Sequence, residues 1–429
     1  MYFDCIIPLS LTKTAVFARA FVISNNLKSA ITVFLAAAIC YYNSDMNINK
    51  ESTILITCSP GLVDCLKTEV EALGYQTFNP HKAGLEIKGT IVDCMKLNLN
   101  LRTAFNVLYL FKQFNSKNPD QLYRYLISLN WADIIPEDEY FTVISRADNP
   151  SITHTAFPSM KVKDAIVDSI SKAKGKRPDS GSDRNNVVLN FYWKDSDCWI
   201  YINTSGSKLA DRGYRKMPHT APMQETLAAG VLLTAGYDGS MPLVCPMCGS
   251  GTLAIEAALI SMNKATGLLR SNYGFAHLKD FDNAIWQEMR KNALKIAKKT
   301  LDFPIIATDI DERAIVAAKQ NAKTAGVDHL IEFAVCDFAE TKIPQAPGMI
   351  LLNPEYGIRL SETKELEGTY KRIGDFFKQK CQGYSCWIFT GNTDLAKKVG
   401  LRTSRKIPFF NGTIECRLLR YDIYAGSKK

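Results

Sequence analysis

The stretch LVCPMCGSGTLAIEA, residues 243–257, decides the fold: an apolar strand runs into a glycine turn and then into a helix. Gly249 and Gly251, with Ala254 three residues on, remove side chains where a cofactor must touch backbone and where a helix must start against a sheet. By itself the G-x-G-x-x-A pattern points to a nucleotide-type cofactor and not to a particular one. A second piece narrows the reading. At residues 350–357, ILLNPEYG, another apolar strand ends in Asn353, Pro354, Glu355 and Tyr356.

Around these two pieces apolar strands recur at 241–245, 305–309, 331–337, 349–353 and 386–390. Helical segments separate them, for example 312–325, whose end is marked by Gly326. Strands alternating with helices predict an α/β domain with a doubly wound, Rossmann-like parallel sheet. The chain then runs KIPFF, Asn411, Gly412 and TIECRLLRYDI. Asn-Gly between apolar runs is a strong hairpin signal, so a terminal antiparallel hairpin is expected.

Each strand end offers one contact. Asp309 stands where a carboxylate accepts both ribose hydroxyls, with Asp311 as the second candidate. Asp337, closing the third strand, can accept from an adenine amino group. The backbone around Pro246, Cys248, Gly249, Ser250, Gly251 and Thr252 faces the remainder of the cofactor. Dinucleotide-binding dehydrogenases place the ribose acid ~20 residues past the glycines. Asp309 comes much later, after an inserted segment at 273–286, which disfavours NAD.

A chain of 429 residues is too long for one ordinary domain, and 46% hydrophobic with 22% charged residues describes globular domains with their own cores. The net charge of +9 attracts polyanions without proving a nucleic-acid partner. The 12 cysteines are scattered, in no disulfide framework, which suits a reduced, cytoplasmic compartment. Cys245 and Cys248 form a C-x-x-C, but a second ligand pair at matching spacing is missing, so no metal is expected. Residues 1–45 read as a leader or an upstream extension, with the true start expected near Met46. Their apolar run at 30–42 is short of the ~20 residues that span a bilayer, and no stable membrane association is expected.

Residues 46–103 read as a small α+β unit: strand, turn at Ser59, Pro60 and Gly61, helix 62–73, short strand 85–87 and helix 91–101. A looser version follows over 104–205, with an exposed polar break at 174–186. Lys161, Lys163, Lys172, Lys174, Lys176 and Arg177, set against Asp164, Asp168 and Asp179, suit phosphate contact or a solvated face. A linker at 206–221, SGSKLADRGYRKMPHT from Ser205, leads to the α/β domain at 222–425. Lys208, Arg212, Arg215 and Lys216 interleave with Tyr214, and cations beside an aromatic ring suit a nucleic-acid backbone and a stacked base.

From residue 49 to 424 the chain resembles the THUMP-containing class I RNA methyltransferases, and within them the ribosomal RNA large subunit methyltransferase L group. The stretches that carry the resemblance are ADRGYRK, PMCGSGTLAIEAA, ATDIDERAI, NPEYGIRL and NGTIECRLLRYDIY. The resemblance implies a ferredoxin-like module at 46–103, a THUMP domain that binds structured RNA at 104–205, and S-adenosylmethionine as cofactor. It implies methylation of guanine N2 in 23S ribosomal RNA, with no role for DNA. Asn353 and the Pro354 carbonyl would accept the two hydrogens of the amine and turn its lone pair toward the sulfonium methyl, while Tyr356 stacks on the extruded base. Two departures stand out: Cys245 replaces the group's usual Asp, and Glu355 replaces the second proline of Asn-Pro-Pro-Tyr. Three rival readings stay open: a transfer-RNA guanine-N2 enzyme, an adenine-N6 enzyme, and a non-catalytic RNA-binding ribosome-assembly factor.

Overall fold

The computed structural model describes residues 48, 50–136, 140–150, 152, 154, 156–217, 223–345, 347–357 and 360–423. The expected leader and the end of the linker at 218–221 lie outside the described residues.

The front half is built on one sheet. Its elements are β1 (Ser52–Cys58), α1 (Val63–Ala72), β2 (Phe78–His81), β3 (Gly84–Gly89), α2 (Ile91–Asn100), β4 (Ala104–Asn115) and α3 (Pro119–Ile127). β5 (Phe141–Asp148), α4 (Phe157–Lys174), β6 (Ser180–Gly181), β7 (Val187–Lys194) and β8 (Asp197–Asn203) complete it. The strands lie in the order β2-β3-β1-β4-β8-β7-β5-β6. β4 pairs antiparallel with β1 on one side and β8 on the other, so the ferredoxin-like and THUMP regions share a continuous sheet. Local chemistry fixes the helix starts. Thr90 and Asp93 form a capping box on α2, and Asn118 caps α3 ahead of Pro119.

The second half contains α5 (Glu225–Ala235), β9 (Leu243–Pro246), α6 (Thr252–Ser261), α7 (Asn283–Ile296), β10 (Ile305–Asp309), α8 (Glu312–Ala325) and β11 (Ile331–Val335). β12 (Gly348–Leu352), α9 (Leu360–Lys380), β13 (Tyr384–Thr390), α10 (Thr393–Lys398), β14 (Arg405–Asn411) and β15 (Ile414–Asp422) follow. The sheet runs β11-β10-β9-β12-β13-β15-β14, parallel up to β13, with β15 inserted antiparallel between β13 and β14. β9 and β12 are buried along their whole length, which is why they read as continuous apolar runs rather than alternating ones. The hairpin closes where Asn411 pairs with Ile414, and Gly412, at φ 64°, is the first residue of its two-residue turn. The turn therefore uses glycine in the first central position, not Asn-Gly as the central pair.

Buried polar contacts join the halves. The Arg102 guanidinium donates to the Leu259 and Lys264 carbonyls at 3.3 and 3.0 Å, while Arg270 donates to the Ser205 and Lys208 carbonyls at 3.0 and 2.7 Å. The strand order reverses at β9, so the crevice beyond the carboxyl ends of β9, β10 and β12 is where a ligand belongs in such a sheet.

Candidate active site

The turn after β9 holds three left-handed residues in alternation: Met247 at φ 57°, Gly249 at 54° and Gly251 at 83°. Met247 is the notable one, because a non-glycine side chain there is uncommon and such strain gathers at functional loops. At Gly249 a Cβ would meet nothing within 4 Å, so the loop backbone lies open on that side. At Gly251 a Cβ would come within 2.9 Å of the Ala318 Cβ, so this glycine lets α6 begin against α8. The loop is pinned from the neighbouring strand: Cys248 N donates to the Thr308 carbonyl at 2.9 Å, and Gly249 N donates to Asp309 Oδ2 at 2.9 Å.

Asp309 Oδ1 also accepts the Asp311 amide at 3.0 Å. Each of its oxygens carries one amide and keeps a lone pair, which fits a pair of vicinal hydroxyls. Asp311 instead caps α8 and bonds Arg313. Asp337 caps the short 3-10 turn that follows β11 and meets Arg372 at 2.7 Å. Burial pushes its carboxyl upward, but the bonds from Arg372 and the Ala339 amide outweigh that and hold it below the ordinary carboxylate range. An alternating left-handed loop with an exposed backbone face, beside a carboxylate with free lone pairs, fits an adenosyl cofactor. Cys245 is fully buried in β9, where burial pushes its thiol up to about 12, so a neutral group stands at this point of the strand.

At the end of β12, Asn353 and Tyr356 are half-buried, Pro354 is buried and Glu355 is exposed. The Tyr356 hydroxyl donates to Asn353 Oδ1 at 2.7 Å, and the ring packs 6.4 Å from Phe389. A Cβ at Gly391 would come within 2.9 Å of that ring, so Gly391 makes its room. Two side chains that sequence reading did not single out fasten the turn. Tyr370 donates to the Glu355 carbonyl at 3.1 Å, and Asn392 Nδ2 donates to the Tyr356 carbonyl at 2.9 Å. The signal for Asn392 was present, since Thr390, Gly391 and Asn392 form another polar strand end.

The linker is a brace. Arg212 and Tyr214, expected to face RNA, are each 1% exposed. Arg212 grips Glu256 of α6 through Nε at 2.8 Å and Nη2 at 3.1 Å, and the Tyr214 hydroxyl donates to the same carboxylate at 3.0 Å. Neither can stack on or pair with a nucleic acid at the surface. Arg215 is mostly buried too, 3.2 Å from Glu225 and 3.4 Å from the Thr252 hydroxyl at the start of α6. Only Lys208 and Lys216 of that set are exposed. Asn321, on the otherwise apolar inner face of α8, accepts the amides of Lys216 and Met217 and donates to the Ser250 carbonyl at 3.2 Å, so the linker is tied directly to the glycine loop. The cations Lys172, Lys174, Lys176 and Arg177, at the end of α4 and beyond it, are exposed.

A left-handed glycine loop, a strand-end acid and an Asn-Pro turn on this seven-stranded sheet define the S-adenosylmethionine-dependent methyltransferase class. Family models match three stretches: the RlmL ferredoxin-like domain over residues 53–108, the THUMP domain over 116–203, and the RMKL-like methyltransferase domain over 212–420. A protein of Synechocystis named "Putative RNA methyltransferase slr0064" is 32% identical, the match covering 86% of this chain and 96% of that protein. Ribosomal RNA large subunit methyltransferase K/L of Syntrophotalea carbinolica is 34% identical over 86% of this chain and 53% of its own. The chain spans about half the length of the K/L relatives it matches. A crystal structure described as "SMU.472, a putative methyltransferase complexed with SAH" superposes with a TM-score of 0.79 at 25% identity, covering 88% of this chain and 100% of that one. The chain belongs to the RMKL-like methyltransferase family and is an enzyme of that family with a ferredoxin-like and THUMP front end.

Proposed function

We propose that this enzyme transfers a methyl group from S-adenosylmethionine to the exocyclic N2 of a guanine in large-subunit, 23S ribosomal RNA. The observation that carries the reading is the placement of Asn353 at the carboxyl end of β12, directly beside β9 and its glycine loop. The K/L names of the relatives and the THUMP region support a ribosomal RNA substrate.

When bound, the cofactor supplies an electrophilic methyl on a sulfonium; the remaining work is done by this chain. Asp309 accepts the ribose hydroxyls, Asp337 takes the adenine amino group, and the backbone from Pro246 to Thr252 faces the ribose and methionine portion. A guanine amine is a poor nucleophile because its lone pair is spread into the ring. Asn353 Oδ1 and the Pro354 carbonyl accept its two hydrogens and turn that lone pair toward the methyl. Asn353 Oδ1 already holds the Tyr356 hydroxyl, which fixes the amide, and its second lone pair remains for the amine. The Tyr356 ring flanks the extruded base. Catalysis is then positioning and electrostatics, without a covalent enzyme intermediate. Exposed Lys208, Lys216 and the basic end of α4 contact phosphates.

The test is methyl incorporation from labelled S-adenosylmethionine into unmodified 23S RNA and transfer RNA offered together. Labelling of the 23S RNA is expected. Labelling confined to transfer RNA would overturn the substrate assignment.

A further inference from the structure

The β1–α1 turn of the ferredoxin-like module presses on the methyltransferase half. A Cβ at Gly61, whose φ is 89°, would stand 2.8 Å from the Pro408 carbonyl oxygen and 3.3 Å from the Phe409 Cα, so the turn lies backbone to backbone against β14. Leu62, the next residue, is 0% exposed and fills the space left by Gly230 of α5, where a Cβ would collide with it. In the first turn of α1, Cys65 Sγ meets the Thr234 hydroxyl of α5 at 3.0 Å. Packing this close is stiff, and a shift at the turn must be passed to the hairpin.

The strand that Gly61 touches leads to the Asn-Pro turn. The buried Phe409 ring meets Phe389 edge-on at 5.9 Å, and Phe389 packs 6.4 Å from Tyr356. A second route runs through β15: a Cβ at Gly391 would be 2.9 Å from both the Ile414 Cγ2 and the Tyr356 ring, so these two side chains converge there. Tyr356 in turn holds Asn353 Oδ1. We infer that Gly61 is a positioning residue: it seats the β14–β15 hairpin, and the hairpin sets the Tyr356 ring and, through it, the Asn353 amide. The inference rests on the roles proposed for Asn353 and Tyr356, and it gives the front half a part in turnover besides any hold on RNA.

The test compares Gly61→Ala with Gly74→Ala. Both glycines are left-handed and belong to one module, but a Cβ at Gly74, with φ 93°, meets nothing within 4 Å, so this variant carries the backbone strain without the push. The assay counts methyl groups passed from labelled S-adenosylmethionine to total RNA from cells lacking the enzyme. Gly61→Ala should lower kcat about tenfold, the scale expected when reacting groups shift by a fraction of an ångström, with S-adenosylmethionine affinity unchanged by calorimetry. Gly74→Ala should keep the wild-type kcat. In a Tyr356→Ala background, Gly61→Ala should change kcat by less than about twofold, because the ring it positions is gone. Melting curves check that each variant is folded. Should Gly61→Ala not fold, Phe409→Leu, which keeps the core apolar and removes the ring edge from Phe389, should show the same kcat loss and the same dependence on Tyr356. Equal kcat for Gly61→Ala and Gly74→Ala, or a full loss that persists without the Tyr356 ring, would overturn the inference. Counting total methyl groups reads the brace whichever base is methylated, while nucleoside analysis of the same product tests the guanine-N2 reading separately. A wild-type protein that methylates no RNA overturns both.

Discussion

Replacing Arg212 with leucine separates a brace from an RNA contact. In the wild-type protein its guanidinium makes two bonds to Glu256, at 2.8 and 3.1 Å, and one to the Arg102 carbonyl at 2.7 Å. The ion pair is sealed, with side-chain exposures of 1% and 0%. Arg212→Leu leaves the Glu256 carboxylate with the Tyr214 hydroxyl alone, and breaking a buried pair from one side costs about 3–5 kcal/mol. For a unit of 150–250 residues, each kcal/mol moves the midpoint about 2–4 °C, so a drop of roughly 6–20 °C is expected. An exposed phosphate-binding arginine would move stability by no more than about 0.5 kcal/mol. The assay is thermal unfolding followed by circular dichroism, with RNA affinity measured well below the transition. Arg212→Leu combined with Glu256→Leu should recover much of the loss, because the buried charge goes with its partner. A single variant that melts with the wild type yet loses RNA affinity would refute the burial argument.

Asp309→Ala should weaken S-adenosylmethionine binding by about 1–3 kcal/mol by calorimetry, since it removes the proposed ribose acceptor and the anchor of the Gly249 amide; unchanged affinity would move the ribose role elsewhere. Tyr356→Phe keeps the ring but frees Asn353 Oδ1, so methyl-transfer kcat should fall about 3- to 10-fold with cofactor affinity intact, less than for Tyr356→Ala. Burial, opposed by Arg215, raises the Glu225 carboxyl from its ordinary 4.5 to about 7, so the folded state holds a proton that the unfolded chain releases earlier. That stabilising contribution is full below pH 4.5 and lost as pH rises through about 7, so the stability advantage of wild type over Glu225→Gln should shrink across that window in urea titrations; growth of the advantage with pH would contradict it.

Much of the architecture was legible because it is written locally. The strands Ile305–Asp309 and the helix Glu312–Ala325 fall where the apolar periods and Gly326 put them. β2 was missed because FNPH carries one apolar residue and a proline, and its pairing depends on β3. The linker was misread for a related reason. Counting cations in RGYRK says nothing of Glu256, which reaches Arg212 only after the glycine loop and α6 have folded. Asn321 and Asn392 act through contacts with distant loops, and an asparagine on an apolar helix face was the only trace of the first. The Asn353 and Asp309 positions were legible because strand ends recur at one edge of a parallel sheet.

The most direct measurement is nucleoside analysis of 23S RNA from cells lacking the modification, after incubation with S-adenosylmethionine and either wild-type enzyme or Asn353→Ala. The account predicts N2-methylguanosine with the wild type and a loss on the order of 100-fold or more with Asn353→Ala, at unchanged cofactor affinity. N6-methyladenosine as the product, or normal turnover by Asn353→Ala, would contradict it.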